Sequence, residues 1–385
     1  MTGSSSTQVP TVADHTTRKQ RDFTVNASPT PTKTAPQLLL EFNGDFPAPM
    51  PQQLRHWNTP MLSNLMHSWS RTFGNPSYRE DGDFEHFIEN MARFDAASQA
   101  FGKENTRILH VAGEHLSSLC EFNGAPILPA EAALLPAPDL VFGPVANWGG
   151  ESHGQRASDP ADHYWEIPAF ESLSGRRWAL AGYFPDDQNE PDLLGVLQGM
   201  FDDGIRRFVV KGTAAKTLLV KFELTVRPTQ IFGGSSEIPF EIMNASAHLE
   251  GRSGVFLVQE YIPMVDEYRF FMAGDSPASG AGCIEHFTPL DALSSDFDER
   301  VEGKRGSGNV RRDADVVDRL LDFATAAGKE LYRQAPALGA AWVMDLATNQ
   351  ETGEVVLIEL NPARNAGLYA SNPLAWMRAV RDHVA

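Results

Sequence analysis

The strongest constraint on this chain is a pair of apolar runs near its C-terminus that carry three oxygen-bearing side chains. The first reads Ala-Trp-Val-Met-Asp-Leu from Ala341 to Leu346; the second reads Val-Val-Leu-Ile-Glu-Leu-Asn-Pro from Val355 to Pro362. Strand side chains alternate between two faces with a period of two. Asp345 shares parity with Ala341 and Val343, while Glu359 and Asn361 share parity with Leu357. Pairing the runs as a hairpin through Ala347 to Glu354 therefore brings Asp345, Glu359 and Asn361 to one face. A carboxylate inside an apolar strand is costly unless it is paired or bound to a metal. Two carboxylates and an amide carbonyl suit a hard divalent cation, and Mg²⁺ is usually held by one or two carboxylates plus substrate phosphates. A plain solvated hairpin edge is the bland alternative. It is disfavoured because Val343 and Leu357 put apolar residues on that same face.

The 385 residues around this hairpin suffice for roughly two or three subdomains with substantial cores. The net charge of −18 is uneven: in the first 36 residues Arg18, Lys19, Arg21 and Lys33 outnumber Asp14 and Asp22 by two, which leaves −20 for the rest. Such a body repels nucleic acid and anionic membranes, so neither is an expected partner. A polyanionic substrate then needs clustered lysines and arginines, or a metal. Cys120 and Cys283 are the only cysteines, too few for a disulfide framework, which favours a reducing compartment. With no apolar run of spanning length and no apolar signal core, the expected location is the cytoplasm.

Residues 1–36 are rich in Ser, Thr and Pro and read as a disordered tail. Strands are expected at Leu38–Phe42 and Arg107–Val111, with helical spacing of Phe84, Phe87, Ile88, Met91 and Phe94 between them. Further on, Arg177–Phe184 and Arg207–Lys211 read as strands, Asp192–Asp203 as an amphipathic helix, and Leu218–Leu224 as the returning partner of Arg207–Lys211. Val255–Pro263 and Glu267–Asp275 follow as strands. Ser294–Asp313 reads as a loop with Gly303, Gly306 and Gly308, and Val316–Leu331 as a helix. Asn372-Pro373 is an N-cap with proline at the first helical position. There is no Walker-type glycine loop and no Gly-x-Ser-x-Gly elbow. Cys283 and His286 lack the further ligands a metal site needs.

In chain order, Val209-Val210-Lys211, Gln259-Glu260-Tyr261-Ile262, Glu267-x-Arg269 and Asp345…Glu359-x-Asn361 resemble the ATP-grasp superfamily. The resemblance runs from about Trp165 to the C-terminus. Each motif alone is common; the ordered set is far more specific. It implies an α/β (α+β) chain with an ATP-grasp fold, whose two α+β subdomains, 161–258 and 259–385, clasp ATP. A small α/β pre-grasp domain at 37–160 would precede them. By this resemblance Lys211 points at the nucleotide phosphates; Lys216 and Lys221 are expected to assist, because either lowers the local negative potential. Glu260, Tyr261 and Ile262 form the adenine hinge, and Glu267 accepts from the ribose hydroxyls. Asp345, Glu359 and Asn361 hold Mg²⁺, or Mn²⁺ in its place. Arg364 holds a phosphate or substrate carboxylate. Arg269 lies on a buried strand and needs an anionic partner, because guanidinium keeps its charge; a phosphate or reactive intermediate is favoured over a structural ion pair.

The sequence departs from the family pattern after Lys211. Gly212-Thr213-Ala214-Ala215-Lys216 is glycine-poor where a glycine-rich loop is usual, and Gly233-Gly234-Ser235-Ser236 is a second candidate for covering the phosphates. The position two before Asp345 is Val343, where some ligases carry an arginine. The expected activity is an ATP- and Mg²⁺-dependent ligase that joins a carboxylate to an amine or other nucleophile through an acylphosphate. A kinase of the same type, or a non-catalytic nucleotide-binding module, are the alternatives. Small-molecule or peptide substrates, and a homodimer, complete the expectation.

Overall fold

The computed structural model of the chain describes residues 38–43, 160–182, 192–213, 218–228, 255–283, 296–303, 310–363 and 366–385, with parts of 93–142. The proposed tail at 1–36, Lys216, Gly233-Gly234-Ser235-Ser236 and Arg364 lie outside the described residues.

The first sheet is built from β1 (Leu38–Asn43), β2 (Thr106–Val111), β3 (Cys120–Phe122), β4 (Ala125–Ile127) and β5 (Leu140–Phe142). Its order is β4-β3-β2-β1-β5, with β1 parallel to both β2 and β5 and the rest antiparallel. The second sheet takes β6 (Trp178–Gly182), β7 (Arg207–Gly212), β8 (Leu219–Glu223) and β9 (Val255–Glu260) in the order β6-β9-β7-β8. Its pairs are antiparallel, and Lys211 stands opposite Leu257 on one side and Leu219 on the other. Alternation sends Phe208, Val210, Phe256 and Val258 to one face. There they form a core with Leu197 and Phe201 of α2 (Leu193–Asp202). Lys211 and Val209 go to the opposite face.

The third sheet is β11-β10-β14-β15, from β10 (Met264–Ala273), β11 (Ser276–Gly282), β14 (Ala341–Asn349) and β15 (Val355–Pro362). The hairpin forms, with Asp345 opposite Glu359 and Val343 opposite Asn361. Leu357, however, does not share the face of Glu359 and Asn361. The register shifts between Asp345 and Leu346, so that Leu346 faces Leu357 and Ile358 is the extra residue of a bulge. Leu357 therefore lies in the core with Leu346, and only beyond Ile358 does the strand turn Glu359 and Asn361 to the other face. A second slip occurs on β10. Val265 pairs with Thr348 and Tyr268 with Leu346, so Asp266 and Glu267 together oppose the single residue Ala347.

The main core covers one face of this sheet. Tyr268, Phe270, Trp342 and Leu346 pack beneath α3 (Ala314–Gln334) and the segment comprising a 3-10 helix (Pro160–Glu166) and α1 (Pro168–Ser174). Burying each such apolar side chain contributes about 1.5–3 kcal/mol. Helix α3 starts where Asp313 accepts from the Val316 N–H, and it presents Val317, Leu320, Ala324, Ala327 and Leu331 inward. The stretch expected to be a loop between Ser294 and Asp313 contains a short ribbon, β12 (Arg300–Glu302) with β13 (Val310–Arg312). Val301 anchors it by complete burial, a contact that no local pattern announces. The C-terminal helix α4 (Pro373–Val384) begins at Asn372, whose side chain accepts from Leu374 and Ala375 N–H. No helix among the described residues is long and apolar enough to cross a membrane.

Gly328 marks the tightest approach of α3 to the sheet. A Cβ there would lie 2.6 Å from Met272 Cε and 2.7 Å from the Asp275 carbonyl oxygen. Alanine gains helix propensity at this position, but the backbone oxygen cannot move aside as a side chain can. Gly328→Ala is expected to destabilise the fold by about 1–3 kcal/mol, read as a lower urea midpoint. An unchanged or higher midpoint would show that the helix can retreat without loss.

Candidate functional site

Lys211 of the second sheet and Glu359 of the third meet, with Nζ 2.5 Å from Oε2. The side chains are 19% and 29% exposed, so this contact lies where the two sheets approach and not on open surface. Glu359 Oε1 accepts from Asn361 Nδ2 at 3.3 Å, and the same amide nitrogen donates to Asp345 Oδ2 at 3.0 Å. Asp345 is gripped from the other side. Arg269 Nε and Nη2 donate to its two carboxylate oxygens, each at 2.8 Å. Thus Lys211, Glu359, Asn361, Asp345 and Arg269 form one continuous polar row.

Arg269 meets the Asp345 carboxylate because Asp345 stands directly opposite it across β10 and β14. Its third nitrogen donates to the Gly367 carbonyl at 3.1 Å, and the ring of Tyr369 lies 4.8 Å away over the guanidinium. Tyr369 holds a left-handed φ of 48°, a conformation an L-residue adopts at a cost of roughly 1 kcal/mol. Burial alone would lower the Arg269 pKa, and the facing Asp345 carboxylate more than offsets it.

The Lys211 ammonium follows the same logic. Burial pushes its pKa down, but Glu359 and then Tyr164 outweigh that, leaving it raised. Burial pushes the Glu359 carboxyl up, and Lys211 reverses this, holding it below the ordinary carboxylate range. Both directions describe an ion pair that keeps its charges.

Two residues of this cluster escaped the sequence reading. Tyr164, on the 3-10 helix, lies near Lys211; burial raises its phenol above the ordinary value and outweighs the Lys211 charge, which lowers it. Arg176 is buried and donates to the carbonyl of the bulge residue Ile358 at 3.0 Å, while burial lowers its pKa. Both come from the segment before β6, and nothing local announces them. The nearest signal was the Arg176-Arg177 pair entering an apolar strand.

In the motif at 259–262, Gln259 and Glu260 lie on opposite faces of their sheet. Glu260 stands opposite Phe208, off the face that carries Lys211, and its Oε2 accepts from the Arg177 N–H at 3.3 Å. The Tyr261 N–H donates to the Arg207 carbonyl at 2.9 Å, so that donor is already used. Gln259 is the residue of this motif that shares a face with Val209 and Lys211. Its amide is wholly buried, and among the described residues neither Oε1 nor Nε2 has a hydrogen-bond partner, nor does the adjacent Trp178 Nε1. An unsatisfied buried amide costs about 1–3 kcal/mol, which makes it a candidate ligand contact.

The cluster can be tested for a divalent cation. Among the described residues no group of three or more His, Cys, Asp and Glu side chains is placed to hold a metal, so the set rests on two carboxylates and one amide. A carboxylate offers about four lone-pair positions. Asp345 uses three of them and Glu359 two. Arg269 and Lys211 formally neutralise both charges, so a bare cation gains little here. A cation arriving with a polyphosphate would fit better, since the anion would compete with Glu359 for Lys211. Asn361, whose amide nitrogen now donates to both carboxylates, would have to rotate its amide to offer its oxygen to such a cation. A cavity of about 570 Å³ elsewhere, between the start of β11 and α4, contains none of these residues.

No protein-family model matches the chain, and no curated protein is significantly similar to it. Among solved structures it is similar to D-alanine–D-alanine ligase from Bacillus anthracis complexed with ATP, at 10% identity and a TM-score of 0.41, covering 90% of this chain and 95% of that one. D-alanyl-alanine synthetase A from Vibrio cholerae gives 10% and 0.43 over 91% and 98%. The ATP-grasp ligase PsnB complexed with precursor peptide PsnA2 and AMPPNP gives 13% and 0.40 over 92% and 99%. At these scores the likeness assigns neither substrate nor residue role to this chain.

Proposed function

We propose that the chain is an ATP-dependent ligase of the ATP-grasp type, joining a carboxylate to an amine or other nucleophile. The observation that carries this reading is the meeting of Lys211 with Glu359 beside Asn361, Asp345 and Arg269. A lysine from one antiparallel sheet and a carboxylate–amide set from another converge where a nucleotide's phosphates would sit. Residues 161–258 and 259–385 are the two clasping subdomains in this reading, and 37–160 the pre-grasp domain.

Lys211 would exchange Glu359 for the nucleotide phosphates as a compact point charge. Asp345, Glu359 and Asn361 would hold Mg²⁺, or Mn²⁺, which when bound supplies charge neutralisation at the transferring phosphoryl group. Arg269 would keep Asp345 ionised and oriented. Gln259, with the Ile262 N–H, would face the base, and Glu267 the ribose. The substrate carboxylate oxygen bonds to the γ-phosphorus as the bond to the ADP oxygen breaks, giving an acylphosphate. The amine nitrogen then bonds to the acyl carbon, phosphate leaves with its bonding pair, and the amine proton passes to solvent. Positioning and charge stabilisation account for such catalysis without a dedicated base. Lys216 and Arg364 remain proposed contacts to phosphate and to phosphate or substrate carboxylate.

The test is ADP release from MgATP with pools of amino acids, small acids and peptides, each with and without an amine. Acceptor-dependent ADP release with an amide product is expected. A stable phosphorylated product without an amide would replace ligase by kinase. Absence of both ADP release and MgATP binding would remove the nucleotide reading.

A further inference from the structure

The slip on β10 has an unusual first residue. Asp266 adopts φ 57°, the left-handed conformation that a bulge of this kind normally gives to glycine. Its side chain is not a solvent-facing turn residue, because Asp266 is only 5% exposed. Its carboxylate Oδ1 lies 2.9 Å from Arg311 Nη2 on β13. Arg311 Nε reaches Asp313 Oδ2 at 3.0 Å, and Asp313 is also the N-cap of α3. One guanidinium therefore ties the bulge to the ribbon and to the start of the longest described helix.

The bulge decides where the next residues point. Val265 pairs with Thr348, on the core parity of β14 shared with Leu346. Continued without a slip, that parity would send Glu267 and Arg269 into the core. The extra residue at Asp266 reverses the phase, so Arg269 meets Asp345 on the polar face, and Glu267, two residues earlier, follows it. Glu267 is secured behind by its carbonyl, which accepts from the Cys283 N–H at 2.9 Å.

We infer that Asp266 and Arg311 form a positioning pin, which holds the bulge so that Glu267 presents its carboxylate to the ribose hydroxyls of the nucleotide. This rests on the nucleotide reading of the site above. Asp266 and Arg311 touch no ligand themselves; they act through Glu267.

The experiment uses the full chain and titration calorimetry with MgATP and with Mg-2′,3′-dideoxy-ATP, which lacks the hydroxyls. Asp266→Gly keeps the left-handed backbone without strain and removes only the pin; Arg311→Gln removes the pin from its other side. The wild type is expected to favour ATP by about tenfold or more, the value of a hydrogen bond to a charged group. Both variants are expected to bring ATP down to the level of the dideoxy analogue, whose own affinity changes less than about twofold. Arg311→Lys, which retains the charge, restores part of the preference.

A preference unchanged in Asp266→Gly and Arg311→Gln overturns the pin while leaving the nucleotide site intact. Equal loss of both nucleotides also overturns it, since a general structural support would act on both. No nucleotide binding by the wild type overturns the nucleotide reading and this inference together.

Discussion

Asp345→Ala is expected to destabilise the fold by about 3–5 kcal/mol, because it leaves the Arg269 guanidinium buried beside an empty space. Arg269 is 8% exposed and Asp345 1%, so little water can replace the two hydrogen bonds that the carboxylate accepts. The backbone carbonyl of Gly367 and the ring of Tyr369 stay in place, but neither carries the compensating charge. The measurement is the urea unfolding midpoint. A companion variant separates stability from chemistry. Replacing both partners, Arg269→Met with Asp345→Leu, is expected to recover most of the lost stability, since an apolar pair needs no ionic partner. It should nevertheless show no acceptor-dependent ADP release. If Asp345→Ala unfolds within about 1 kcal/mol of wild type, the buried pair does not form in solution.

Lys211→Met is expected to lower acceptor-dependent ADP release by about 10²–10³-fold, the typical cost of removing one preorganised charge from a transferring group. Its stability cost should be smaller than that of Asp345→Ala, because Glu359 retains Asn361 and is the more exposed carboxylate. The deficit should also vary with pH. The lowered carboxyl of Glu359 contributes stability above the ordinary carboxylate range, lost as pH falls through its depressed value. The raised ammonium of Lys211 contributes below the ordinary lysine range, lost as pH rises through its elevated value. Wild type and variant should therefore differ most near neutrality and converge in acid. ADP release within threefold of wild type would remove Lys211 from the phosphate site.

The elements that sequence made legible were those fixed by local chemistry. Asn372-Pro373 caps a helix because an amide side chain and a preset φ act within three residues. The α3 face is readable because Leu320, Ala324 and Leu331 repeat at the helical period. The hairpin and the Lys211 strand were readable for the same reason. What stayed hidden depends on register between strands far apart in the chain. Ile358 looks like any strand isoleucine, yet it is the bulge that separates Leu357 from Glu359. Pairing with Phe208 sends Glu260 off the Lys211 face and leaves Gln259 there, a placement that the motif itself does not reveal. Tyr164 and Arg176 reach the cluster only through tertiary packing.

The two slips on β10 and β15 flank the same level of β14, one at Ala347 and one between Asp345 and Leu346. They behave like a pair of dislocations in a layered crystal: below them the two sheet faces carry one assignment of rows, and above them the opposite one. A polar patch in an otherwise apolar sheet then has a sharp boundary, set by two single residues instead of a gradual change in composition. Deleting either Asp266 or Ile358 would turn one wall of the patch inward while leaving the other facing out, although every residue of the patch would still be present in the sequence.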